Sequence, residues 1–177
     1  MTERSSSDTI RKLLAISNPT RLEIYSSLWL DGPADALRLG QRLNMEELSV
    51  YYHLRKLEGA GLLRRRKDRG RTKGLYEAGE RFSVNALDLT APANRNAMIR
   101  FVEAILRAVA REYPRAVASL GTEVHDRTYV ARTAIRLTAA DQAELFARLR
   151  DLSSWMDSRR DPDGERLAVT VAVTPVT

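Results

Sequence analysis

The sequence predicts a mainly α fold with small β elements (α+β), and three observations carry that prediction. Apolar residues recur at helical spacing through most of residues 8–58, a glycine-bearing basic stretch at 62–78 has the make-up of a hairpin, and the last third passes from alternation to helical spacing and back. The 177 residues are enough for two small domains, each with its own core. A change of character across "RFSVNALDLTAPANRN" at 81–96 sets the expected division at 1–85 and 86–177.

Each element has its own justification. Ile10, Leu13 and Leu14 make a short first helix opened by Asp8. In "SNPTRLEIYSSLWLDG", Asn18 is the N-cap and Pro19 the first helical residue, while Leu22, Tyr25, Leu28 and Trp29 form the stripe and Gly32 the stop. Ala36, Leu39 and Leu43 share a face of the next helix, which Asn44 can close in the left-handed conformation. After a tight turn, a helix over 46–58 turns Val50, Leu54 and Leu57 inward. Two short helices joined this way form a helix-turn-helix. Gly59 and Gly61 end the pair, and Leu62–Lys67, a "DRGRTKG" turn and Leu75–Ala78 complete a hairpin, the wing over 62–78.

A long helix follows over about 93–112, with Met98, Val102, Ile105 and Val109 spaced by four, three and four and Phe101 and Leu106 widening the stripe; Pro114 is expected to end or kink it. So apolar a helix packs either on its own domain or against its twin, and a span of roughly 30 Å for about twenty residues favours the twin. These six residues are the dimerisation candidates. The remainder reads as a small strand-helix-strand unit. Tyr129–Leu137 alternates, "TAAD" at 138–141 is a capping box ahead of Leu145, Leu149, Leu152 and Met156, and Leu167, Val169, Val171 and Val173 alternate again. The two strands can pair parallel through a crossover or antiparallel, and two strands alone are marginal without the long helix or a partner subunit.

The net charge of +6 is unevenly placed. From Arg55 to Lys73 nine Arg or Lys face only Glu58 and Asp68, a local +7, so the rest of the chain carries −1. A basic hairpin beside an exposed helix face suits a polyanion, with the helix in a major groove and the wing along the backbone. Relative to Val50, the outward positions are Leu48, Ser49, Tyr52, Arg55 and Lys56, with Tyr51 at the edge. Together with Glu47 and the wing residues Lys67, Arg69, Arg71, Thr72 and Lys73, these are the DNA-binding candidates. Leu48 can meet a thymine methyl, Glu47 can accept from cytosine N4, and Arg55 can reach guanine or a phosphate. His53, near the inward face, reads as a structural hydrogen-bonder rather than a ligand.

"NPTRLEIYSSL", "LGQRLNMEELSVYYHLRKLEGAGLL" and the wing resemble the DNA-binding domain of ArsR-type winged helix-turn-helix transcriptional regulators, over roughly residues 8–80. The resemblance implies a homodimer on an inverted-repeat operator in double-stranded DNA, usually as a repressor. The chain departs from that pattern with Glu46, Glu47 and Leu48 at the start of the reading helix, which leaves its base code open. A second reading makes the domain a protein-interaction module whose wing and tyrosines dock on an acidic partner.

Other functions find little support. Catalysis is not expected: the chain has no Cys, only His53 and His125, and no nucleophile elbow, P-loop or dinucleotide fingerprint. Without cysteine, thiolate metal coordination and disulfide switching are excluded, and no metal or cofactor is expected. The remaining signals are a small organic effector, a protein partner or none; Tyr113, Tyr129, Phe146 and Trp155 could line an apolar effector pocket or simply fill a small core. No apolar run approaches the roughly 20 residues that span a bilayer, and the start carries no secretory h-region, so a cytoplasmic protein without membrane contact is expected.

Overall fold

A computed structural model of the chain describes residues 3–66, 74–79, 84, 87–159, 161 and 164–175. Its fold is mainly α with small β elements. Two compact units, Met1–Ala116 and Val117–Thr177, divide the chain within the long helix.

In the first unit, α1 (Glu3–Ile16) leads into α2 (Pro19–Asp31). Asn18 is extended and its side chain accepts from the Arg21 backbone N–H at 3.1 Å, so the cap and Pro19 start α2 as the sequence requires. Asp35 does the same for α3 (Ala36–Leu43), accepting from Arg38 N–H at 2.9 Å. Asn44 closes α3 in the left-handed region at φ 52°. The turn into α4 (Glu47–Gly59) is tight enough to need a glycine, since a β-carbon on Gly40 would lie 2.7 Å from the Met45 carbonyl oxygen. Glu46, at the cap of α4, makes no side-chain cap bond.

The core follows from the stripes. Ile16, Ile24, Leu28, Leu39, Val50, Leu54 and Leu57 pack with Leu62 and Leu63. The buried Ser27 hydroxyl donates to Asp31 at 2.9 Å, and Arg42 approaches Asp31 at 3.7 Å, which ties the end of α2 to α3. Strand β1 (Leu63–Arg66) pairs antiparallel with β2 (Leu75–Ala78), Leu63 opposite Ala78 and Arg66 opposite Leu75. A third short segment joins them. Ala34 N–H donates to Tyr76 O at 3.0 Å and Tyr76 N–H to Ala34 O at 2.9 Å, so the loop after α2 anchors the wing.

The long helix α5 (Pro92–Leu120) runs past Pro114, which the sequence expected to end or kink it, so an end at that residue is corrected. Proline forfeits one backbone bond, but the chain runs on for six more residues. Its start is fixed by buried Asn94, whose amide donates to Asp88 O at 2.8 Å, while Asp88 accepts from Thr90 N–H at 2.9 Å. Asn94, Ala97, Ala104 and Ala108 form the buried stripe. Ala97 packs with Leu13 and Leu87, and Met98 and Phe101 join that cluster. Glu23 of α2 meets Arg111 at 3.6 Å and Arg115 at 3.8 Å. Small residues thus let α5 lie close to its own unit, while the bulkier Ile99, Val102, Leu106 and Tyr113 remain at least 40% exposed.

The second unit holds a 3-10 turn at Gly121–Glu123, α6 (Val124–Arg127) and α7 (Ala139–Ser158). Thr138 caps α7, accepting from Asp141 N–H at 3.2 Å while its hydroxyl donates to the Asp141 carboxylate at 2.6 Å. The flanking strands expected at 129–137 and 167–173 are a correction: neither segment is in a sheet. Two short strands supply too little hydrogen bonding and too little buried face to persist by themselves. No described residue of this unit is buried.

Candidate nucleic-acid interface

The anchoring side of α4 determines what its other side offers. With Val50, Leu54 and Leu57 at 0% exposure, Leu48 at 79% and Tyr52 at 57% point away from the core. Arg55 and Lys56 are exposed beside them, Tyr51 is 43% exposed at the edge, and Ser49 and Glu47 are half-buried. Lys56 Nζ stands 5.5 Å from the Tyr52 ring centroid, a cation–π contact that holds both on one surface. Arg55 pairs with Glu58 at 3.0 Å on the side toward the wing. Structure therefore gathers the candidates of α4 on one exposed face.

On the wing, Arg64, Arg65 and Arg66 are exposed along β1. Arg65 lies over the ring of Tyr76 at 6.0 Å, and Gly74 leaves the room for it: a β-carbon there would come within 2.6 Å of Arg65 Nε. Arg66 reaches Glu77 across the ladder at 4.0 Å. Lys67, Arg69, Arg71, Thr72 and Lys73 lie outside the described residues. The aromatic under the wing is Tyr76, 2% exposed. Burial, reinforced by the Glu58 charge, raises its proton affinity, and its hydroxyl has no hydrogen-bond partner among the described residues.

The opposite edge of α4 faces α2. Among the described residues His53 Nδ1 is buried without a hydrogen-bond partner, and the ring meets Tyr52 edge-on at 5.3 Å. Burial and the nearby Arg21 charge both lower the proton affinity of His53. Two α3 residues that sequence patterning passed over, Arg38 and Gln41, are exposed, and their positions on α3 could have flagged them. An open recess of about 380 Å³ lies at the α3–α4 turn, lined by Leu37, Gln41, Met45, Glu46 and Glu47 among others.

Among the dimerisation candidates, Met98 and Phe101 pack within the first unit, whereas Val102 is 40% and Leu106 52% exposed, with Ile105 and Val109 half-buried. The aromatic effector candidates Tyr113, Tyr129, Phe146 and Trp155 are each between 39% and 90% exposed. Among the described residues, no helix is long and apolar enough to cross a membrane.

Residues 16–66, which span α2 to β1, match a protein-family model described as a helix-turn-helix domain. No curated protein matches the chain. In that segment the chain is similar to helix-turn-helix domains, which points to a DNA-binding regulator of transcription.

Proposed function

We propose that the chain is a dimeric, sequence-specific transcription regulator of the ArsR type, a repressor that binds an inverted repeat through α4 and the wing. The observation that carries this reading is the exposed face of α4, with Leu48, Tyr52, Arg55 and Lys56 presented beside the three arginines of β1. Helix α4 enters the major groove, where Leu48 meets a thymine methyl, Glu47 accepts from cytosine N4 and Arg55 reaches guanine or a phosphate. Arginines of the wing neutralise the flanking backbone and release its counterions.

Dimerisation is supported by the outer face of α5. Ile99, Val102, Leu106, Val109 and Tyr113 follow one another by three, four, three and four residues, the spacing of a helix-pair seam, while the buried alanine stripe occupies the other side. Because the chain has no cysteine, any effector acts without thiolate chemistry, and a small organic compound is the class proposed.

Selection from a randomised duplex pool by the full chain tests the reading. Enrichment of an inverted repeat is expected; a pool that returns no shared sequence would favour the alternative, a domain that docks its basic wing on an acidic protein.

A further inference from the structure

A helix about 10–12 Å across fills a major groove about 12 Å wide and has a phosphate backbone on each flank. The wing serves one flank of α4. Tyr51, Arg55 and Glu58 lie on that side, close enough for their charges to act on Tyr76 of β2. The other flank carries a second, separate set of groups. Arg21 comes from the first turn of α2 and its Nε donates to the Ala15 carbonyl, which fixes the guanidinium at the end of α1. It is near enough to act on both Tyr52 and His53. Lys56, one turn beyond Tyr52 on α4, leans over the Tyr52 ring.

These groups have no anion of their own. Among the described residues no carboxylate pairs with Arg21 or with Lys56, whereas Arg42, Arg55, Arg66, Arg107, Arg111 and Arg115 each have one. Arg21 is partly buried as well, so its charge is incompletely hydrated and incompletely balanced. Among the described residues His53 Nδ1 is buried without a hydrogen-bond partner. A half-buried guanidinium, an ammonium and a phenol on one flank are donors of the kind a phosphate oxyanion accepts from, and the buried His53 ring lies behind them.

We propose that Arg21, Lys56 and Tyr52, with His53 behind them, seat one backbone phosphate of the duplex on the α2 side of the recognition helix. The inference rests on the DNA-binding reading above and adds to the recognition helix and wing a contact from α2, through Arg21. A phosphate held there and phosphates held by the wing clamp α4 from both sides and fix its register in the groove, while carrying no sequence information themselves.

The test is the salt dependence of binding by the full chain to a generic duplex of about two helical turns, for the parent, Arg21→Gln, Lys56→Gln and the double variant. Each single change should weaken binding several-fold. Because both cations serve one phosphate, the double variant should lower the log–log salt slope by about one, and not by two. Imidazole resonances of His53, assigned with His53→Gln, should move when the duplex is added to the parent. Arg21→Gln can disturb the α1–α2 junction through the lost bond to Ala15; Lys56→Gln is exposed and decides the matter by itself if the first variant unfolds. A parental slope in Lys56→Gln with an unmoved His53 resonance overturns the phosphate seat, as does a double variant that loses two. A parent chain that binds no duplex overturns the functional reading and the seat together, so the two failures are distinguishable.

Discussion

The two units of this chain contain similar proportions of obvious secondary-structure pattern, yet only one of them closes a core. In Met1–Ala116, α1 to α4, most of α5 and a hairpin bury Leu13, Ile24, Leu39, Val50, Leu54 and Leu57 completely. In Val117–Thr177, the cap of α7 is formed and its helix is long, but Phe146, Leu152 and Trp155 stay between 39% and 57% exposed, and the alternating segments expose Ile135 at 69% and Leu167 at 70%. Local signals suffice to start and stop a helix. Burial needs a second surface, and in the second unit the chain supplies none among its described residues.

The largest contrast between the units should appear in stability. Leu54→Ala leaves a cavity in a fully buried site and should cost about 2–5 kcal/mol. Val171→Ala, at a residue 56% exposed, should stay within about 0.5 kcal/mol. Urea midpoints of the two variants measure the difference directly; equal shifts would mean that the second unit has a core of its own.

Next comes the outer face of α5, which sharpens the question of what covers exposed apolar surface. Leu106→Asp should leave the folded monomer intact, because the residue is 52% exposed there. In a dimer it would bury an unpaired charge on both sides of the twofold axis, costing several kcal/mol. Sedimentation should show monomers at micromolar concentration. A variant that remains dimeric places the seam elsewhere.

A smaller effect separates two glycines of the first unit. Gly40→Ala forces a β-carbon to within 2.7 Å of the Met45 carbonyl and should destabilise by about 1–3 kcal/mol. Gly59→Ala meets nothing within 4 Å in the last turn of α4 and should be neutral or stabilising by up to about 1 kcal/mol. Opposite signs in thermal unfolding are the expected outcome.

The smallest effect is a pH dependence. The folded chain holds His53 at a proton affinity below its ordinary 6.5, chiefly through burial and secondly through Arg21. The unfolded chain therefore binds the proton more readily, and this contribution to stability is complete above pH 6.5 and declines as the pH falls below it. His53→Gln should flatten the stability profile over that acid range; an unchanged profile would assign the dependence to other groups.

Legibility in the sequence followed the same divide. Asn18, Pro19 and Asn44 announce helix ends because each acts within a few residues of itself, and the structure uses all three as the sequence indicates. Outward positions on α4 were readable because Val50, Leu54 and Leu57 leave only one side free. By contrast, α5 has two apolar stripes, and no local rule tells which one faces inward; the alanine stripe does, since close helix approach favours small residues. The Ala34–Tyr76 bridge joins residues far apart in the chain, and no pattern around Ala34 signals a strand. Alternation at 129–137 and 167–173 reports what those segments could pair with, not that a partner is present. Arg21 escaped notice for a related reason: within α2 it is one more helical arginine, and only the packing of α2 on α4 brings it beside His53.

The most direct test of the interface compares equal charge removed from each unit. Arg64→Gln with Arg66→Gln takes two cations from the wing, and Arg132→Gln with Arg136→Gln takes two from an exposed segment of the second unit. Binding of the full chain to a generic duplex is measured across a salt series. The wing pair should lower the log–log slope by about two and the other pair should leave it unchanged; a parental slope in the wing pair, or an equal loss in both, would contradict a duplex bound along α4 and the wing.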